Sequence, residues 1–254
     1  GGGPGVSSAR GTDRRAGGAP VGGGPCASSA AGGAGGYRRI DNVTDAALAT
    51  YRRWYGPDVA KDHVFAFVYG LLHSPDYRTR FAADLKRSLP RIPRIDAADF
   101  VAFRNAGQAL LDLHIGYEDA APYPLTITGA QPTGPGSADL YDWFRVERLR
   151  WAGKGRAGDR SAIVYNPRIT VSGIPDAAHR YMLGSRSALE WVLDRYQVKT
   201  DTPSGIVNDP NDWSREVGNP RYILDLIAKV TTVSVETMRI VDALPPLRIH
   251  EDQS

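Results

Sequence analysis

The chain has 254 residues, of which 42% are hydrophobic, 23% charged and 9% aromatic, and its formal net charge is +3 at pH 7. These proportions are typical of a globular protein and exclude collagen-like, mucin-like and wholly disordered chains. No run approaches the roughly 18 consecutive apolar residues of a membrane-spanning helix, and the N-terminus lacks the charged start and apolar core of a secretory signal. A cytoplasmic location is therefore the expectation.

Residues 1–36 differ in composition from the rest of the chain. They contain 14 of the 28 glycines, no aromatic residue, and only Val6 and Val21 as large aliphatic residues. Because such a segment has almost nothing to bury, we predict a disordered tail. The single cysteine, Cys26, lies here, so one chain cannot form a disulfide or a cysteine-built zinc site. The first residue is glycine rather than methionine, and we expect a fragment or a processed product.

Helices are predicted for the first half of the remaining chain. They cover residues 43–54, residues 59–72, the segment from 75 to the proline at 90, and residues 97–115. The third begins at Ser74-Pro75-Asp76, which supplies a capping hydroxyl and a proline at the first helical position. Asp96 is the predicted cap of the fourth helix.

The second half mixes short strands with helices. Strands are expected at residues 123–128, 162–165 and 169–171, the last two joined by the turn Asn166-Pro167-Arg168. Helix is predicted for residues 175–196, a polar loop for 200–211, and a long helix for 219–244. The predicted fold class is α+β, a mainly helical domain with a small β-sheet in the middle, preceded by the disordered tail. The predicted domain boundaries are 1–36 for the tail, 37–246 for the domain and 247–254 for a C-terminal tail.

An apolar stripe runs along the last predicted helix. It consists of Ile223, Leu226, Val230, Val233, Thr237, Ile240 and Leu244, at alternating spacings of three and four. Such a stripe packs into a core or against a partner helix, and we favour the core. The β-branched run over residues 230–235 could break the helix in two.

Catalytic motifs are not visible in the sequence. There is no phosphate-binding lysine loop and no nucleophile elbow, and no two histidines have the i, i+4 spacing of a helical metal site. No catalytic residue and no metal ligand is therefore predicted. We interpret His114 as a partly buried structural histidine, and His73 as a local cap. Oxygen-bearing side chains cluster at Asp201, Asn208, Asp209, Asn211 and Asp212, where turns and capping are favoured over a cation site.

Positive charge is concentrated in one segment. Six basic residues and two acidic residues lie between residues 144 and 160, whereas residues 200–254 carry nine acidic and five basic residues. Arginine forks suit phosphates and guanine edges, but a solvated charged face explains the composition equally well.

Several motifs in order then resemble one known family. They are Tyr69-Gly70-Leu71-Leu72-His73-Ser74-Pro75-Asp76-Tyr77-Arg78, Leu89-Pro90-Arg91-Ile92-Pro93, Tyr165-Asn166 with Gly173-Ile174-Pro175, Ser187-Ala188-Leu189-Glu190-Trp191, Tyr196-Gln197-Val198-Lys199-Thr200-Asp201, and Gly205-Ile206-Val207-Asn208-Asp209-Pro210-Asn211-Asp212-Trp213. Together they resemble the C-terminal specificity, or target-recognition, domain of Type ISP restriction-modification enzymes, over about residues 37–246.

The resemblance implies sequence-specific recognition of double-stranded DNA. It also implies that adenine-N6 methylation and restriction are carried out by methyltransferase, helicase and nuclease domains absent here. S-adenosylmethionine, ATP and Mg are then expected only for those domains, and no membrane partner is expected. The candidate DNA-binding residues are Arg145, Arg148, Arg150, Lys154, Arg156, Arg168 and Lys199.

Two alternatives remain open. The chain could be a protein-interaction module that docks on a methyltransferase or helicase partner through the apolar stripe and the acidic C-terminal region, without autonomous DNA specificity. It could also be an enzyme in its own right, using the clustered acids and Lys199.

Overall fold

The computed structural model of the chain describes residues 41–129, 139–153 and 159–250. The predicted tail over residues 1–36 lies outside these residues, as do Lys154 and Arg156. All elements below belong to one compact unit. Its mainly helical content with a small antiparallel sheet confirms the predicted fold class.

Four helices open the described chain. They are α1 (Asp45–Tyr55), α2 (Lys61–His73), α3 (Pro75–Arg80) and α4 (Ala97–Ile115). The predicted start of α3 is confirmed, because the Ser74 hydroxyl accepts a hydrogen bond from the Tyr77 amide and Pro75 occupies the first turn. Asp96 precedes α4 as predicted, but its side chain makes no capping hydrogen bond. Its carboxylate instead contacts His250 Nε2 at 2.7 Å.

The helix α3 is shorter than predicted. It ends at Arg80 and is followed by turns, and the chain then returns so that the hydroxyl of the buried Tyr77 donates to the Arg91 carbonyl at 2.7 Å. The helices pack around a cluster of aromatic rings, in which Tyr55 and Phe100 stack with their centroids 4.0 Å apart.

A four-stranded antiparallel sheet follows in the chain. After a 3-10 turn at Tyr117–Asp119, the elements are β1 (Thr126–Thr128), α5 (Leu140–Trp143), β2 (Arg150–Trp151), β3 (Ala162–Val164) and β4 (Thr170–Ser172). The strand order is β1-β4-β3-β2. The predicted turn between β3 and β4 is confirmed, since the Asn166 side-chain oxygen accepts hydrogen bonds from the amides of Arg168 and Ile169.

The last third of the domain contains two hairpins that were not predicted. Its elements are α6 (Ala177–Arg180), β5 (Met182–Leu183), β6 (Arg186–Ser187), α7 (Ala188–Arg195), β7 (Lys199–Thr200), β8 (Val207–Asn208), α8 (Asn211–Glu216) and α9 (Tyr222–Asp242). The predicted continuous helix over residues 175–196 is wrong, because Gly184 adopts a positive φ of 72° in a turn that pairs β5 with β6. The predicted loop over residues 200–211 contains strand β8, which pairs with β7.

The long helix α9 is unbroken across the β-branched run. Five of the seven stripe positions are buried, which confirms the prediction of internal packing. The N-terminal half of α9 lies in the core that includes the sheet. Leu244, just after the helix, packs against the aromatic cluster of the first four helices.

Residues 247–250, the described part of the predicted C-terminal tail, contact the helical cluster. Arg248 donates two hydrogen bonds to the buried carboxylate of Asp99, at 2.9 and 2.6 Å. Ile249 forms a bridge with Ile95, and Leu247 packs nearby.

Candidate functional site

An open groove of about 370 Å³ lies between β2, the hairpin of β5 and β6, and α7. Its lining residues are Arg148, Leu149, Arg150, Trp151, Ser185, Arg186, Glu190, Leu193, Asp194 and Gln197. Burial alternates along the segment that leads into β2, where Leu149 packs in the core and its neighbours Arg148 and Arg150 are exposed. The groove therefore has an apolar base and a charged rim.

Arg148 and Arg150 supply cations on one side of the groove. Backbone pairing fixes both residues, since Arg150 pairs with Val164 of β3 and Arg148 forms a bridge with Gln197. Among the described residues, neither guanidinium has a carboxylate partner within ion-pair distance. Both side chains are therefore available to an anionic ligand without breaking an existing ion pair.

The two carboxylates of the groove are already neutralised. Glu190 lies 3.1 Å from a guanidinium nitrogen of Arg160 and accepts a hydrogen bond from the Ser187 amide. Asp194 lies 3.2 Å from Arg186 and 3.7 Å from the Lys199 ammonium. Five cationic side chains thus lie in or beside the groove with two carboxylates, which leaves an excess of positive charge.

Arg145 and Arg168, two of the predicted DNA-binding residues, interact with other side chains outside the groove. Arg145 donates to Glu147 at 2.8 Å and to Asp209 at 2.7 Å, and these bonds raise the pKa of Arg145. Burial alone would raise the pKa of Asp209, but hydrogen bonds from Asn211 and Arg145 hold it below its usual value. Arg168 lies over the Trp143 ring and 3.5 Å from Asp142, on the turn between β3 and β4.

The structure therefore places only some of the predicted DNA-binding residues at the groove. It brings Arg148 and Arg150 to one groove and places Lys199 at its edge, where the ammonium also donates to the Asp194 carbonyl at 3.0 Å. Arg145 and Arg168 are not among the lining residues. Lys154 and Arg156 lie outside the described residues.

Comparison with known proteins identifies the family. The family model of the Type ISP C-terminal specificity domain matches residues 12–226. The chain belongs to this family. Among curated protein sequences, none matches it.

Three solved structures are similar to this specificity domain. A nuclease-deletion mutant of the Type ISP restriction-modification enzyme LlaGI, in complex with a DNA substrate mimic, has 38% identity and a TM-score of 0.64 over 76% of this chain and 17% of its own. The ATP-dependent Type ISP enzyme LlaBIII bound to DNA has 32% identity and a TM-score of 0.66 over 80% of this chain and 12% of its own. The DrdV–DNA complex has 35% identity and a TM-score of 0.67 over 82% of this chain and 20% of its own. This chain thus spans at most a fifth of each of these proteins.

Arg186 of the specificity domain is a groove residue that the sequence analysis missed. The predicted continuous helix over residues 175–196 includes Arg186, where nothing in the sequence distinguishes it from other surface arginines. The signal that could have found it is Ser187-Ala188-Leu189-Glu190, a capping box that marks the start of α7. Together with Gly184, this motif predicts a turn and a new helix start.

The clustered acids of the domain form local hydrogen bonds. Asp201 accepts from the Ser204 amide and hydroxyl, and Asp209 accepts from Asn211. Across the described parts of the chain, no three His, Cys, Asp or Glu side chains form a group that could hold a metal ion. Nor does any described helix have the length and apolarity to cross a bilayer.

His114 is the structural histidine that the sequence analysis predicted. Its Nδ1 lies 2.8 Å from the Tyr69 hydroxyl and its Nε2 lies 2.8 Å from the Thr237 hydroxyl. Burial, with a smaller contribution from His73, lowers the pKa of His114 to about 4. The ring is therefore neutral at physiological pH and joins α2, α4 and α9.

Proposed function

We propose that this specificity domain binds double-stranded DNA and recognises a target sequence, using the groove between β2, α7 and the hairpin of β5 and β6. The observation that carries the proposal is the pair of arginines, Arg148 and Arg150, exposed in a groove whose two acids are neutralised. Membership of the family and the three similar DNA-bound structures support DNA recognition by this domain.

The side chains of the groove suit a polyanion, such as DNA, whose base edges can accept hydrogen bonds. Arginine presents planar donors that match phosphate and guanine, and phosphate contacts set the register while base contacts set the sequence. Because Arg148 and Arg150 have no carboxylate partner among the described residues, binding a phosphate would cost them no ion pair. Arg160 and Lys199 offset the negative charges of Glu190 and Asp194 at the rim, so these carboxylates do not cancel the charge of Arg148 and Arg150.

In this proposal the domain directs chemistry that other domains perform. Adenine-N6 methylation and restriction belong to methyltransferase, helicase and nuclease domains of the same system, and those domains bind S-adenosylmethionine, ATP and Mg. The domain itself is non-catalytic. The motifs that resemble the specificity domain support this division of functions between domains, as does the small fraction of the similar enzymes' length that this chain spans.

Docking on a partner protein without DNA specificity is the less favoured alternative. It relied on the apolar stripe of α9 together with the acidic C-terminal region, and five of the seven stripe residues are buried within the domain. A stripe that already packs internally offers no free face to a partner helix.

The test measures binding of the full 254-residue chain to labelled duplexes over a salt series. We expect affinity to fall steeply with salt, and Arg148→Ala and Arg150→Ala each to weaken binding and reduce the salt slope by about one if they contact phosphates. Arg53→Ala, an exposed arginine on α1, is the matched control. Equal binding by all of these variants and the unaltered chain would reject the groove as the DNA-binding surface.

A further inference from the structure

The hairpin of β5 and β6 forms one wall of the groove. Its two strands pair Met182 with Ser187 and Leu183 with Arg186, on either side of a turn at Gly184 and Ser185. Residues directly opposite each other in such a pair project from the same face. Arg186 and Leu183 therefore lie side by side on the hairpin.

Four interactions hold this hairpin against α7. The Trp191 indole nitrogen donates to the Leu183 carbonyl at 2.9 Å, and the Ser187 amide donates to Glu190 at 2.8 Å. Arg186 lies over the Trp191 ring at 5.2 Å from its centroid, and Nη1 of Arg186 lies 3.2 Å from Asp194. The ribbon and its arginine are thus positioned before any ligand arrives.

The Arg186 guanidinium retains free donors in this arrangement. Asp194 lies 3.2 Å from Nη1, and within the described residues no hydrogen bond is seen at Nε or Nη2. These two nitrogens form one planar edge of the fork, and such an edge matches the O6 and N7 acceptors of guanine. The Lys199 ammonium also lies near Asp194, and its positive charge limits repulsion between that carboxylate and an incoming duplex.

The neighbouring side chains suit a base edge better than a phosphate. Leu183, on the same face as Arg186, is 43% exposed although it is apolar, and Met182, on the opposite face of the hairpin, is 39% exposed. In the major groove of DNA, apolar side chains contact the thymine methyl group, and a two-stranded ribbon fits within that groove. An apolar and an arginine side chain on one face of a narrow ribbon therefore match the major groove.

We propose that the hairpin of β5 and β6 enters the major groove and that Arg186, held by Asp194 and Trp191, reads a guanine in the target sequence. This inference deepens the proposed function and rests on it. In this inference Arg186 determines the sequence preference, whereas Arg148 and Arg150 contribute affinity that does not depend on the sequence.

The test compares target preference rather than affinity alone. The full chain and its variants select duplexes from a randomised library, and each selected motif is then checked by binding to single-base substitutions. Arg186→Ala removes the fork, and Arg186→Lys keeps the positive charge but removes the planar edge. Arg195→Ala is the matched control, because Arg195 lies over the same Trp191 ring at 5.3 Å and does not line the groove.

We expect the unaltered chain to select a motif that contains a guanine at one fixed position. Both Arg186 variants should lose discrimination at that position by roughly 5- to 150-fold, as expected for one bidentate contact, and keep it elsewhere. Arg195→Ala should keep the whole motif.

Three results would overturn the inference. If both Arg186 variants select the same motif as the unaltered chain, Arg186 does not read a base. If they lose affinity equally on every duplex, Arg186 is a phosphate contact. If the unaltered, folded chain selects no motif, the proposed function itself fails and the inference fails with it. Thermal unfolding of each variant establishes that the fold is retained.

Discussion

Gly107 of α4 lies so close to Ala66 of α2 that a Cβ atom on Gly107 would be 1.8 Å from the Ala66 carbonyl oxygen. The reciprocal position is also a glycine, since a Cβ on Gly70 would be 2.3 Å from the Phe103 carbonyl oxygen. The two helices therefore touch backbone to backbone, and the aromatic cluster forms around this contact.

Substitution of Gly107 by alanine should force α2 and α4 apart. Because backbone atoms rather than flexible side chains occupy the space, we expect a loss of at least about 1–3 kcal/mol in unfolding free energy. Asn105→Ala, on the exposed face of the same helix, is the control and should change stability by less than about 0.5 kcal/mol. Urea unfolding measures both, and similar stabilities for the two variants would contradict the close packing.

The partly buried pair of His73 and His114 predicts a pH dependence of stability. Burial lowers the pKa of His114 to about 4 and also lowers the pKa of His73, relative to their ordinary value of 6.5. A folded-state pKa below the unfolded value means that the neutral ring stabilises the fold above pH 6.5. This contribution is lost progressively as the pH falls from 6.5 through 4.

Replacement of His114 by Gln isolates its share of this effect. The ring faces Tyr69, His73, Thr237 and the stacked ring of Tyr181, none of which carries a compensating negative charge at these pH values. Urea midpoints measured from pH 7.5 to 4 should fall less steeply for His114→Gln than for the unaltered chain. Parallel curves would show that His114 does not titrate differently on folding.

Arg145 and Arg148 should behave differently although they lie three residues apart. Arg145→Ala removes the partner of Asp209 and Glu147, so we expect a loss of about 1 kcal/mol in stability, discounted for partial exposure. Arg148→Ala should leave stability nearly unchanged and weaken DNA binding. Thermal unfolding and duplex binding measured on both variants check the contrast, and stronger loss of binding in folded Arg145→Ala would reverse the assignment.

Local signals in the sequence predicted much of the fold. Ser74 and Pro75 set the start of α3, and the turn at Asn166 was readable because asparagine bonds to the backbone that follows it. The stripe on α9 predicted a buried face. Each of these features depends on residues within a few positions of one another, or on a repeat along one helix.

The site was less predictable because its charges are paired across long distances in the chain. Nothing in the sequence near Arg145 shows that Asp209, 64 residues later, will neutralise it. Likewise, only the folded structure places Arg186 opposite Arg148 and Arg150. Composition located the basic segment, but tertiary contacts decide which of its cations are free.

The continuity of α9 has a mechanical consequence. Its first half belongs to the core beneath the groove, and Leu244, just after its C-terminal end, packs against the aromatic cluster of the first four helices. Moving one cluster against the other would bend the helix or withdraw it from a core, and both are costly. We therefore expect the domain to bind DNA without changing its own shape, so that any bending needed for a close fit occurs in the duplex. Target sequences that bend easily should then bind more tightly, even where the difference lies at base pairs that the protein does not contact.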